Sequence, residues 1–173
     1  KCGHNFAYEY YKVKPDIIIL GKSVGGGMPL GLIAFNNILD HDYPGAQSST
    51  FQGNIISIYN SYFFLKYIKK INYLKKISKI ENFMISQRHI LKSFKPVIDF
   101  RGIGNMWGIE INTNYSKKKD FTNLIRSQLL TKGLITWECG IDGNVIGLVP
   151  PICTSRKSLN LSIEILTKIL SNL

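Results

Sequence analysis

From Asn54 onward, apolar residues return every three or four positions: Ile55, Ile58, Tyr59, Tyr62, Phe63 and Leu65. That rhythm predicts a helix with Asn54 as its N-cap. A second helix is expected over residues 73 to about 93, stopped before Pro96. The rhythm then changes. "VIDFRGIGNMWGIEI" reads as two strands joined by glycines. "KDFTNLIRSQLLTKG" reads as an amphipathic helix ended by Gly133, and "LITWE" and "NVIGLV" read as strands. After the break at Pro150-Pro151, "SRKSLNLSIEILTKILSNL" reads as a terminal helix capped by Ser155. Upstream, the aromatic-rich residues 1–13 hold a loop and a short helix, and Ile17 to Leu20 form a strand behind Pro15-Asp16. Residues 21–31 are a glycine-rich loop, and "LIAF", 32–35, is too short to be told from helix by its period. The polar stretch that follows has a turn signal at Pro44-Gly45. These elements imply an α/β part over residues 1–93 and a small α+β domain over 94–173, with the boundary near Phe94.

Composition narrows the class. Apolar residues make up 45% of the chain, enough for a real core. No apolar run reaches the roughly 20 residues that a membrane span needs, so no membrane partner is expected. Cys2, Cys139 and Cys153 form no C-x-x-C pair, which points to a reducing compartment, the cytoplasm. His4, His41 and His89 have no ligand spacing, so no metal is expected. The net charge of +11 raises a nucleic-acid partner. Yet Lys, Ile, Asn and Tyr are enriched together, as in "YIKKINYLKKISKIEN", and these residue types share A/T-rich codons. The lysines there fall where a helix faces water, and no RRM, KH, zinc-finger or helix-turn-helix signature accompanies them. No nucleic-acid partner is expected.

The chemistry-bearing stretch is "DIIILGKSVGGGMPLG", residues 16–31. A phosphate-binding loop requires G-x-x-x-x-G-K-(S/T), but Asp16 stands where the first glycine belongs. A dinucleotide G-x-G-x-x-G starting at Gly25 fails at Leu30. Two readings survive. One is a tight turn with an incidental exposed lysine, which the residues alone favour. The other is a Schiff-base lysine: Lys22, partly desolvated at a strand end, would offer a free amine to an aldehyde. The glycines beside it would let a planar ring approach the backbone.

The longer stretch "FAYEYYKVKPDIIILGKSVGGGMPLGLIAF" resembles the lysine region of class III aminotransferases, the ornithine- and GABA-type enzymes. Their signature runs F-x-x-E, then P-D-I-x-x-x-x-K-x-(I/L)-G-G-G-x-P. "PGAQSSTFQGN", 44–54, resembles the family's G-x-x-x-S-T-F-x-G-N segment. "FRGIGNMWGIEI", 100–111, resembles its R-G-x-G-x-M-x-G-(I/L)-E, and "LVPPICTS", 148–155, its L-x-P-P-L segment. Within the family, "PGAQSSTFQGN" and "KGLITWECGIDGNVIGLVPP" most resemble the diaminobutyrate–2-oxoglutarate aminotransferases.

The resemblance implies a pyridoxal-phosphate-dependent transferase of fold type I, with a partial large domain followed by the small domain. It implies transfer of an amino group from a diamine-type amino acid such as 2,4-diaminobutyrate to a 2-oxo acid such as 2-oxoglutarate, by a homodimer. Lys22 stands at the position of the catalytic, cofactor-holding lysine. Thr50 matches the threonine that reaches from one subunit to the cofactor phosphate of the other, with Ser49 and the Phe51 backbone assisting. Gly25, Gly26 and Gly27 shape the loop. Arg101 is expected to be structural and Glu9 to position the first helix. Met106, Trp107 and Trp137 are expected to pack.

Two departures temper this. The motif G-R-T-G-x-x-F begins just before residue 1, so the family's phosphate loop, ring-stacking aromatic and pyridine-pairing aspartate belong to an N-terminal half outside this sequence. This polypeptide alone is expected to be inactive. Gly147 also stands where the family has an arginine that grips the substrate carboxylate. The alternative reading is therefore a non-catalytic remnant or scaffold.

Overall fold

A computed structural model describes residues 1–40, 43–45, 48–116 and 120–173. His41, Ala46 and Gln47 of the 44–54 segment, and Lys119 at the head of the expected fourth helix, lie outside the described residues. The chain divides into two compact units, residues 6–73 and residues 1–5 with 74–173.

In the first unit, α1 (Ala7–Tyr11) carries Glu9 in its first turn. There a negative charge favours the helix dipole. Strand β1 (Ile17–Leu20) pairs antiparallel with β2 (Leu32–Phe35), so the run that period alone left open is a strand. Helix α2 (Ile55–Lys70) is capped as expected: Ser57 N donates to Asn54 Oδ1 at 3.0 Å. Its face is the surprise. The apolar residues that announced the helix, Tyr59, Tyr62 and Phe63 among them, are exposed, whereas Ser57 and Ser61 are buried. Two short strands, the five-residue α1 and the single long helix α2 cannot cover both faces of the apolar pattern they carry.

The second unit has its own core. Helix α3 (Tyr73–Lys92) is followed by β3 (Val97–Ile103) and β4 (Met106–Ile111). Then come α4 (Phe121–Thr131), β5 (Trp137–Cys139), β6 (Val145–Leu148) and α5 (Arg156–Leu170). The strands form one antiparallel sheet in the order β3-β4-β6-β5. Alternation on β4 sends Trp107, Ile109 and Ile111 inward. They meet Phe83 and Leu91 of α3, Ile125 and Leu129 of α4, and Leu166 of α5. Because α3 lends its buried face to this core, the compact unit begins at Leu74, some way before Phe94. Ser155 caps α5 by accepting from Ser158 N at 3.0 Å. Strand β5 begins three residues later than the "LITWE" pattern implied. Met106 and Trp137 are exposed, not packed, since each sits on the sheet face that no described helix covers; Trp107 is buried as expected.

The β3–β4 turn fastens the second unit together. Gly104 N donates to Glu81 Oε1 of α3 at 2.8 Å, and Trp107 Nε1 donates to Gly104 O at 2.9 Å. Asn105 N donates to Lys1 O at 2.9 Å, and Asn105 Nδ2 donates to Pro150 O at 2.7 Å. This turn is why residues 1–5 belong with the C-terminal part. Gly104 has φ +60°, and a Cβ there would stand 2.1 Å from Lys1 O. At Gly102 a Cβ would strike the Trp107 ring at 2.5 Å. No helix among the described residues is long and apolar enough to cross a membrane.

These contacts rank two glycines. Gly104→Ala is expected to cost more than about 2 kcal/mol, because backbone strain and a backbone clash coincide. Gly133 also has a positive φ but open space around it. Gly133→Ala is expected to cost only about 1 kcal/mol. Urea unfolding of the two variants measures the difference. Equal, small losses would show that the turn does not lie against Lys1.

Candidate active site

The lysine that the motif singles out follows β1 after one residue. Lys22 opens a tight 3₁₀ turn, Lys22–Gly25, with φ 57°. It is one of four non-glycine residues with positive φ among the described residues. For a residue with a Cβ, that conformation costs roughly 1–2 kcal/mol and persists only where neighbours enforce it.

The enforcement comes from α2. Asn60 Nδ2 donates to Gly25 O at 2.7 Å and to Gly26 O at 3.0 Å. The Gly25 carbonyl also accepts from Met28 N at 3.1 Å, so the amide of Asn60 adds a second donor there and ties both carbonyls to α2. A Cβ on Gly26, whose φ is +62°, would sit 2.7 Å from Phe64 Cβ and 2.9 Å from Asn60 Nδ2. The glycine therefore allows loop and helix to touch, and the small Ser57 and Ser61 keep the same helix low. Asn60 was not singled out in the sequence. A polar residue among aromatics on a helix was the only hint.

Lys22 itself is exposed, and its amine has no hydrogen-bond or ion-pair partner among the described residues. This corrects the expectation of a partly desolvated amine: no described residue covers it. The amine is sterically free to react.

The other expected site residues lie in the turn ahead of α2. Gln52 N donates to Ser49 O at 3.0 Å, and Asn54 N to Phe51 O at 3.3 Å. Ser49, Thr50 and Phe51 are all exposed. Thr50 does not cap α2, because Asn54 does. Ser49 and Phe51 line an open cavity of about 1060 Å³ together with the Met28–Ile33 end of the glycine loop and Ser57 of α2. Lys22 and Thr50 are not on its wall. Within one chain the structure thus brings together Ser49, Phe51 and the loop, but not Lys22 with Thr50.

Arg101 is committed elsewhere. It bonds Glu110 across the β3–β4 pair and lies 3.4 Å from Asp99, which also meets Lys92 Nζ at 2.9 Å. The Lys92 hydrogen bond, with help from Arg101, holds the Asp99 carboxyl below its ordinary range. The Glu110 hydrogen bond raises the Arg101 guanidinium above its own. At Gly147, on β6, a Cβ would meet Cys139 Sγ at 2.7 Å and Trp137 Cβ at 3.3 Å. Strand β5 has closed over that position.

The same order of elements occurs in known proteins. A 30% identical relative, the acetylornithine aminotransferase of Caldanaerobacter subterraneus subsp. tengcongensis, aligns over 100% of this chain and 42% of its own length. The alanine/serine racemase of Pyrococcus horikoshii is 32% identical over 97% of this chain and 36% of its own. The solved structure of an ornithine aminotransferase from Plasmodium yoelii superposes with a TM-score of 0.85 at 27% identity, covering 98% of this chain and 44% of that one. The chain therefore spans less than half the length of the relatives it matches. A family model described as aminotransferase class-III matches residues 1–170. On that match the chain belongs to the class-III aminotransferases, a family with the fold type I architecture and a pyridoxal phosphate cofactor.

Proposed function

We propose that this chain is the lysine-bearing part of a cytoplasmic, homodimeric transaminase, with residues 1–93 completing the large domain and 94–173 forming the small one, helix α3 being the end of the large domain that packs into the small domain's core. The observation that carries the reading is Lys22: a partner-free amine in a left-handed backbone, behind a glycine turn that α2 holds in place.

The residues present fit two ends of pyridoxal phosphate. The free Lys22 amine suits its aldehyde. The exposed hydroxyls of Ser49 and Thr50 and the backbone at Phe51 suit its phosphate, where hydroxyl and amide donors meet a doubly charged group. On the motif resemblance, that phosphate would be the one held by the second subunit. When bound, the cofactor supplies an electrophilic carbon and a conjugated ring that accepts electrons. With the cofactor bound, Lys22 Nζ would be the group that holds its aldehyde carbon, and the same amine, once free, would serve as the base that takes a proton from the substrate carbon onto Nζ. The Asn60 fork keeps the Lys22 backbone fixed while its side chain moves.

The amino donor we propose is 2,4-diaminobutyrate and the acceptor 2-oxoglutarate, on the motif resemblance. The relatives named acetylornithine or ornithine aminotransferase support the broader class of amino acids with a second, distal nitrogen. Gly147 supports a second reading, a non-catalytic relative that keeps the fold, because a glycine has no side chain with which to grip a carboxylate.

Borohydride reduction of the complete protein with pyridoxal phosphate is expected to leave its label on the peptide containing Lys22, and Lys22→Ala to abolish it. A label on another residue, or none, would favour the second reading. Asn60→Ala is expected to keep the label but to slow its formation several-fold, by freeing the turn, and an unchanged rate would remove Asn60 from the site. Among donors paired with 2-oxoglutarate, 2,4-diaminobutyrate is expected to give a higher kcat/KM than ornithine or N-acetylornithine. The reverse order would replace the substrate and leave the transaminase reading intact.

A further inference from the structure

The second unit carries a cavity that the proposed chemistry does not use. It measures about 750 Å³ and lies between the first half of α3 and the segment that leads into α5. Among the described residues, Lys76, Lys79 and Arg156 line it and no acidic residue does. Among the described residues none of the three cations has a hydrogen bond or an ion pair. The floor is apolar, with Ile80, Phe83 and Leu159 buried in the core beneath.

Long basic side chains usually spread into water, where mutual repulsion is least and rotamer freedom greatest. Arg156, though exposed, is anchored at one point: its guanidinium lies over the Phe83 ring at 4.0 Å from the centroid, a contact made without a counter-ion. Lys76 and Lys79 lie one turn apart along α3 and share that wall. Three uncompensated cations around a concave, apolar-floored surface focus a positive potential on the cavity. An anchored guanidinium plus two mobile ammonium groups matches an anion with more than one charge and several acceptor oxygens. The volume is that of a small-molecule site.

We propose that this cavity binds a diphosphate-type anion, with Arg156 as its anchored contact and Lys76 and Lys79 closing over it. The site is independent of Lys22 and of the transaminase reading. The same chemistry occurs in inorganic pyrophosphate and in nucleoside diphosphates, and the apolar floor can take up the body of the latter.

Calorimetric titration of the purified protein with pyrophosphate and with ADP, at low salt and without pyridoxal phosphate, tests this. One saturable site is expected. Arg156→Gln and Lys79→Gln are each expected to weaken it by roughly tenfold, the size of one charge-assisted contact. Lys168→Gln, on α5 but outside the cavity wall, is expected to change it less than about twofold, the size of a screened, exposed charge. Circular dichroism confirms that the variants are folded. ADP binding more tightly than pyrophosphate assigns an organic phosphate, and equal binding assigns the inorganic anion. The proposal is overturned if neither anion saturates or if Lys168→Gln weakens binding as much as Arg156→Gln. It is likewise overturned if an oligonucleotide binds with equal dependence on Lys168 and Arg156, which would make the anion affinity a property of the whole basic surface.

Discussion

Everything proposed for Lys22 depends on two hydrogen bonds from one amide group. Asn60 is the point at which helix α2 dictates the shape of the glycine loop, and the loop dictates where the chain leaves β1. A 3₁₀ turn has strained geometry and few internal bonds, so by itself it would not hold a lysine in a left-handed backbone. The fork from Asn60 satisfies two adjacent carbonyls at once. Gly26 then makes the close approach possible, and Ser57 and Ser61 lower the helix surface beneath it. The glycine run that marks the motif is therefore half of a device whose other half lies 34 and 35 residues later in the chain.

The two units solve the problem of holding a backbone in place differently. Around Gly104 the turn is set inside a core. Trp107 and Glu81 bond Gly104, Asn105 ties the turn to Pro150, and Lys1 lies against it. Around Lys22 there is no comparable core among the described residues of 6–73. The strands present Ile17, Ile19 and Ile33 to solvent, and α2 presents Tyr59, Tyr62 and Phe63. The local bonds of the turn thus carry the geometry that burial carries elsewhere.

What the sequence revealed follows from range. Caps act within one turn, so Asn54 and Ser155 were legible, and both cap as read. Period-two alternation and glycine punctuation located β3, β4 and β6. Strand β5 was placed too early because Leu134 and Ile135 extend the apolar run without joining the ladder. The exposure of Trp137 and Met106 was invisible for the same reason: an aromatic on a strand says that one face is covered, not which one. The compact boundary before Phe94 depended on what α3 packs against, a question that its own period does not address. At the site, Lys22 was found through its neighbours in sequence. Asn60 was not, since its partners lie beyond any local pattern.

The same distinction bears on Gly147. Removal of a large side chain from a packed strand leaves a void that costs stability until neighbours collapse into it. No void is left at Gly147, because Cys139 Sγ and Trp137 Cβ occupy the space that a Cβ would need. Trp137 pairs with Gly147 in register, and Cys139 lies two residues further along the same strand face. The absence of a side chain is thus built into the β5–β6 pairing across three positions, whereas an isolated lesion would affect one. Such accommodation is what a residue acquires when the sheet around it has adjusted to its size.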